Sequence, residues 1–77
     1  MTSIFPYGKM ILRNSTEFGA AIRAQRRARG LSQESVALSA GVGLRFVHDL
    51  ERGKETVELG RALRVAATVG LRLEATE

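Results

Sequence analysis

The sequence predicts an all-α domain of four to five short helices, with a short C-terminal strand that lies in a dimer interface. Between residues 15 and 69, apolar residues recur at spacings of three and four, and glycines stand where helices should end. Residues 71–75 instead alternate apolar and polar side chains, as in a half-buried strand. A lone strand leaves its backbone groups unpaired, so this tail should pair with residues 9–13 or with a second copy, and either arrangement favours a dimer.

Length and composition bound the class of protein. With 77 residues the chain is one domain, which we place at residues 10–77 behind a flexible arm at residues 1–9. It has no cysteine, so it can form neither disulfides nor thiolate metal sites, and we expect no metal or cofactor. No apolar run approaches the ~20 residues of a membrane span, and no signal peptide is evident. We therefore expect a cytoplasmic, nucleoid-associated protein without membrane contact.

Enzyme chemistry finds little support, whereas the charge balance favours binding. The chain has one histidine, and no glycine-rich loop carries the lysine of a phosphate-binding motif. Twelve basic against eight acidic residues give a net charge of +4, which suits a polyanionic partner, although solubility alone also needs such a charge. The sequence predicts a binding protein and no enzyme.

A helical hairpin over residues 32–53 is the centre of the sequence. Ser32 is a favourable N-cap for a helix over residues 33–40, and Gly41 can take the left-handed conformation that ends it. A second helix should run over residues 44–52. This is a helix-turn-helix pattern, whose second helix can enter a DNA major groove. A helical hairpin without a DNA role is the alternative.

Two further helices flank the hairpin. The first should run over residues 15–29, with Asn14 as N-cap and Glu17 completing a capping box. The last should run over residues 57–69 behind Thr56 as its cap.

The apolar residues of the last helix divide into two sets. Leu59, Leu63 and Ala66, with Ala62, are expected to form the stripe that faces the core. Val65 and Val69 lie partly off that stripe, where they either meet a partner or widen the core face. The predicted dimerisation residues are Val65, Val69, Leu71 and Leu73.

The outward face of the second hairpin helix should touch DNA. The predicted base-reading residues are Leu44, Arg45, His48 and Asp49. Arginine near the start of such a helix commonly binds guanine O6 and N7, and an aspartate can accept from cytosine N4. In the free protein Arg45 and Asp49 are also spaced for a surface ion pair, and His48 can equally be solvated. The predicted phosphate contacts are Gln33, Arg27, Arg29, Arg52 and Lys54.

The hairpin resembles the lambdoid repressors and the Xre family. The matching positions are Gln33, Val36-Ala37, Gly41-Val42, Val47 and Leu50-Glu51, followed by Arg52-Gly53-Lys54. Gly43 and Val36 depart mildly from the family, where Ser and Leu are usual. The resemblance implies a lambda-repressor-like helix-turn-helix bundle. It also implies a partly buried ion pair between Arg26 and Glu51, which would hold the second hairpin helix on the first helix of the domain; two solvated charges are the alternative.

Residues 46–74, FVHDLERGKETVELGRALRVAATVGLRLE, are similar to the HipB type of antitoxin within that family. Such proteins form homodimers through the C-terminal strand, bind palindromic operators in double-stranded DNA and repress their own operon. They also bind and restrain a HipA-like Ser/Thr kinase toxin. The resemblance thus implies an autorepressing antitoxin. A stand-alone regulator of the phage-repressor kind is one alternative, and an interaction module that has lost DNA binding is another.

Overall fold

Four helices make up the regular structure of the described chain. The computed structural model describes residues 11–77, so the arm predicted at residues 1–9 lies outside the described residues. In chain order the helices are α1 (Ser15–Ala28), α2 (Gln33–Ala40), α3 (Leu44–Glu51) and α4 (Leu59–Thr68). The predicted all-α class is confirmed, with the helix count at the lower of the two expected values. None of these four helices is long and apolar enough to cross a membrane.

Polar caps begin α1 and α2 where the sequence predicts them. Asn14 Oδ1 accepts a hydrogen bond from the Glu17 amide at 2.9 Å. The Glu17 carboxylate accepts from the Arg13 amide at 2.8 Å, one residue before the amide that a capping box would use. Ser32 Oγ accepts from the Ser35 amide at 3.0 Å. Each cap satisfies one of the amides that the first turn of a helix leaves unpaired.

The start of α4 differs from the prediction. Glu58, rather than Thr56, is the N-cap, and its carboxylate accepts from the Arg61 amide at 3.0 Å. The helix therefore begins at Leu59, two residues after the predicted start. A carboxylate also meets the favourable end of the helix dipole there, which a threonine hydroxyl cannot match. Helices α1, α3 and α4 end one residue before their predicted ends, which is within ordinary variation in helix assignment.

All four helices contribute to one apolar core. The buried members of the core are Ile22, Val36, Ala37, Ala40, Val47, Leu50, Ala62, Val65, Ala66 and Val69. Helix α2 packs against α3 and α4, and α1 packs against α3. The hairpin of α2 and α3 is thus held from both sides, and its outer surface stays open to solvent.

The core face of α4 is rotated relative to the predicted one: Ala62 and Ala66 are buried as predicted, but the two leucines are not. Val65 and Val69 are 0% exposed, so the prediction that they meet a partner is wrong for the folded subunit, and the alternative that they widen the core face is confirmed. Leu59 and Leu63, predicted to be core residues, are 67% and 44% exposed. The two leucines and the two valines each have helical spacing, and each pair lies beside Ala66 on the helix surface. Periodicity alone therefore cannot show which pair is buried. Packing against α2 decides the orientation.

No strand is found at residues 71–77, so the predicted C-terminal strand is absent from the single chain. Gly70, with φ of 82°, turns the chain out of α4, and the Leu71 amide donates back to Ala66 O at 2.8 Å. Residues 11–13, the described part of the other candidate strand, are also irregular. An isolated subunit offers the tail no neighbouring strand, and unpaired strands are unstable. Leu71 is half-buried against the core, and Leu73 is 42% exposed.

A glycine allows α1 and α3 to cross closely. Gly19 is buried in α1, and a Cβ built on it would overlap Leu50 O and lie 2.9 Å from Glu51 O. Nearby, Ser15 Oγ donates to Gly53 O at 2.8 Å. These contacts fix the C-terminal half of α3 on α1, and so set the direction in which α3 presents its outer face.

Candidate nucleic-acid interface

Helix α3 buries one face and presents the other. Val47 and Leu50 are 0% and 1% exposed, so the opposite face points away from the core. On it, Leu44 is 38% exposed, and the Arg45 side chain is 88% exposed. The predicted base-reading residues therefore lie on the accessible side of α3, with His48 and Asp49 half-buried there. This is the orientation that a helix needs in order to enter a major groove.

Asp49 is held between two cations. The carboxylate lies 3.4 Å from Arg45 Nε and 3.6 Å from Lys54 Nζ. The Asp49 side chain is only 19% exposed, whereas those of Arg45 and Lys54 are 88% and 53% exposed. The structure thus contains the surface pair that the sequence offered as an alternative to base reading, and adds Lys54 to it.

Arg26 and Glu51 form a buried, bidentate ion pair between α1 and α3. Arg26 Nε and Nη2 donate to the two carboxylate oxygens at 2.6 and 3.1 Å. The side chains are 10% and 4% exposed, which excludes the alternative of two solvated charges. Arg26 Nη1 also donates to Leu31 O at 2.8 Å, and Gln33 Nε2 donates to Glu51 Oε1 at 2.9 Å. The network ties both helices of the hairpin to α1.

A cleft of about 350 Å³ lies beside this network. Its lining residues are Arg23, Arg26, Arg27, Gln33, His48, Glu51 and Arg52. Because Arg26 and Glu51 neutralise each other, the net charge of the lining comes from Arg23, Arg27 and Arg52. A cationic cleft beside a helix that can enter a groove suits a backbone phosphate.

The structure brings together some of the predicted phosphate contacts and separates others. Arg27, Arg52 and Gln33 share the cleft, although the Gln33 amide is engaged with Glu51. The guanidinium of Arg29 instead lies over the backbone of Gly70, away from the cleft lining. Lys54 pairs with Asp49.

Arg23 is a cleft residue that the predicted contacts did not include. It precedes Arg27 by four residues, so the two side chains share one face of α1. That spacing was the signal available in the sequence. What the sequence lacked was the position of α3, which supplies the other wall of the cleft.

These features define a helix-turn-helix domain, and comparison with known proteins identifies its family. The model of a helix-turn-helix family matches residues 22–75, and the chain belongs to this Xre-type family. It is 40% identical over 63 residues to the "Uncharacterized HTH-type transcriptional regulator y4mF" of Sinorhizobium fredii, which spans 82% of this chain and 83% of the relative. The protein is therefore a DNA-binding helix-turn-helix transcriptional regulator.

Two solved structures share the fold. HipB, in a HipB-O4 20mer complex, superposes with a TM-score of 0.82 over 90% of this chain and 97% of that chain. At 14% identity this likeness concerns the fold alone. The restriction-modification controller protein C.AhdI from Aeromonas hydrophila is 35% identical, with a TM-score of 0.65 over 74% of this chain and 83% of that chain.

Proposed function

We propose that the protein is a homodimeric repressor that reads a palindromic operator with α3 and acts as the antitoxin of a HipA-like kinase toxin. The observation that carries the DNA-reading part is the exposed face of α3 beside a cleft lined by Arg23, Arg27 and Arg52. Exposed cations at that place supply both a base reader and phosphate contacts. On this proposal the protein acts by binding, without catalysis, in the cytoplasm where its operator lies.

The antitoxin role is supported by the HipB-like fold over nine-tenths of the chain. A stand-alone regulator is the second candidate, favoured by the likeness to C.AhdI, a restriction-modification controller protein. The test is co-expression with a kinase encoded next to the gene for this protein. An antitoxin should co-elute with that kinase and block its phosphorylation of a protein substrate. Absence of an adjacent kinase gene, or of a complex with its product, would favour the stand-alone regulator.

For dimerisation we propose an apolar surface made of Leu12, Phe18, Leu59, Leu63 and Leu73. These residues line a groove of about 330 Å³ between the start of α1, the first half of α4 and the irregular tail. Three of the leucines are at least 42% exposed in the single subunit. A second copy would cover them and would also give the period-2 tail, residues 71–75, the strand partner that a single subunit lacks.

Leu63→Lys is expected to convert the dimer to a monomer, because the charge would be buried without a partner in the interface. Leu38→Lys is the matched control, since Leu38 lies on α2 outside this surface and is 85% exposed. Light scattering coupled to size-exclusion chromatography measures the mass of each variant. A monomeric wild type, or equal masses for all three proteins, would contradict the proposed interface.

Arg45→Ala is expected to weaken binding to a cognate duplex by about 1–3 kcal/mol, the usual discrimination of a good base contact. The loss should fall at one base position of each half-site. A 20-base-pair duplex selected from a random pool provides the cognate sequence, and fluorescence anisotropy measures Kd. The control is Arg61→Ala, which removes the same charge from an exposed pair with Glu58 on α4. Equal losses of affinity in both variants would show that Arg45 does not contact a base.

Arg27→Ala is expected to lower the slope of log K against log salt by about 0.9, because each phosphate contact releases about that many counterions. Arg29→Ala should leave the slope nearly unchanged, since its guanidinium lies over Gly70 rather than in the cleft. Titrations on one duplex at several salt concentrations measure both slopes. A larger change for Arg29 than for Arg27 would show that the phosphate lies elsewhere.

A further inference from the structure

We propose that Asp49 is a specificity-determining residue that acts against non-cognate DNA. This inference rests on the proposed reading of DNA by α3. A carboxylate is an unexpected group at the centre of a surface that must approach phosphates, because it repels them. Asp49 lies between Arg45 and Lys54 on the presented face of α3. At that position its repulsion can act on DNA of the wrong sequence.

The base edges of the major groove explain what Asp49 selects. An ionised carboxylate can only accept hydrogen bonds. Guanine N7 and O6, adenine N7 and thymine O4 are acceptors, and only the amino groups of cytosine and adenine donate. Every base pair thus carries one amino donor on one of its strands, and Asp49 is repelled where acceptors face it instead. It is satisfied where an amino group faces it, most simply at a cytosine near the guanine that Arg45 reads.

The two ion pairs couple this choice to the cations of the interface. While Asp49 holds Arg45 Nε at 3.4 Å and Lys54 Nζ at 3.6 Å, these groups are partly neutralised towards DNA. On a cognate site, Arg45 has guanine acceptors and Asp49 has an amino donor, so both exchange partners together. Where the base pair that faces Asp49 is inverted, its amino group lies on the other strand, and the carboxylate stays paired with the cations while it faces acceptors. The arrangement weakens binding to the wrong sequence rather than strengthening binding to the right one.

The low exposure of the Asp49 side chain, 19%, supports this coupling. It is a short side chain on the outward face of a helix, yet it is far less exposed than either of its partners. In the complex it would be covered further, and a covered carboxylate without a donor is costly. The cost of covering the carboxylate is thus largest where DNA lies closest to Asp49 and presents no amino group to it.

Asp49→Asn is the test, because the amide keeps the shape, loses the charge and can donate. We expect it to bind the selected duplex with the base pair that faces Asp49 inverted in each half-site about tenfold more tightly than the wild type does, with a salt slope steeper by about one unit. The ratio of affinities for the selected 20-base-pair duplex and for this duplex should fall by at least the same factor. When duplexes are selected from the random pool with the Asp49→Asn protein, the selected sequences should no longer share a preferred base pair at one position of each half-site.

Glu55→Gln is the matched control, since Glu55 is exposed, lies four residues beyond the end of α3 and carries the same charge. It should raise affinity for both duplexes by one small common factor. If Asp49→Asn changes the two duplexes equally, as Glu55→Gln does, the inference is wrong. Arg45→Ala separates this failure from that of the proposed function. If Arg45→Ala binds the selected duplex as the wild type does, α3 does not read DNA; if it binds more weakly while Asp49→Asn behaves like Glu55→Gln, only the role of Asp49 fails.

Discussion

Glu51→Gln is expected to lower the free energy of unfolding by about 3–5 kcal/mol, the usual loss when one partner of a buried ion pair is removed. The Glu51 carboxylate accepts three hydrogen bonds, two from Arg26 and one from Gln33, and its side chain is 4% exposed. An amide has a single acceptor oxygen, so its own N–H donors would face other donors. It also leaves the charge of Arg26 buried without compensation.

The size of this loss is large for so small a domain. At roughly 0.05–0.15 kcal/mol per residue, a chain of 77 residues is stable by about 4–12 kcal/mol. Thermal unfolding followed by circular dichroism should show a midpoint lower by about 12 °C or more. DNA binding should be lost with folding as the temperature rises, because the pair joins α3 to the rest of the domain.

Asp49→Asn is the matched control for stability, as it makes the same chemical change on the same helix. Its ion pairs lie at the surface, with partners that are 88% and 53% exposed, and surface pairs contribute about 0–1 kcal/mol. A midpoint for Glu51→Gln as close to the wild type as that of Asp49→Asn would mean that the buried pair contributes no more than a surface one.

Gly19→Ala is expected to destabilise the fold by about 1–3 kcal/mol or more, the range for overpacking a tight interior. The added methyl group would overlap Leu50 O and lie 2.9 Å from Glu51 O. Both are backbone atoms, so no side-chain rotation can relieve the overlap, and α1 must move away from α3. The Arg26–Glu51 pair spans the same two helices, so the shift should strain it as well. Urea unfolding measures the loss as a lower midpoint at unchanged slope.

Gly60→Ala provides the comparison within a helix. The nearest atoms to a Cβ at Gly60 belong to the Glu58 carboxylate, at 3.5 Å or more, which is ordinary contact. Alanine is also favoured over glycine in helices, so this variant should gain about 0.4–1 kcal/mol. Opposite signs for the two substitutions are expected. A Gly19→Ala protein as stable as Gly60→Ala would show that α1 and α3 are free to separate.

Local features of the sequence were sufficient to predict the hairpin and its presented face. Ser32 and Gly41 bound α2 through capping and a left-handed turn, which depend on neighbouring residues only. The spacing of Val47 and Leu50 fixed which side of α3 is buried, and therefore which side carries Arg45. The pairing of Arg26 with Glu51, 25 residues apart, was reached through family resemblance and not through spacing.

The sequence by itself determined the four helices, the caps of α1 and α2 and the exposed position of Arg45 on α3, because hydrogen bonds and helical periodicity act over a few residues. Only the tertiary structure decided which face of α4 is buried, since two apolar stripes overlap at Ala66 and packing against α2 selects one. It also decided the close approach at Gly19 and the cleft that joins Arg23 to Arg52. These depend on how separate helices meet, which no local pattern encodes.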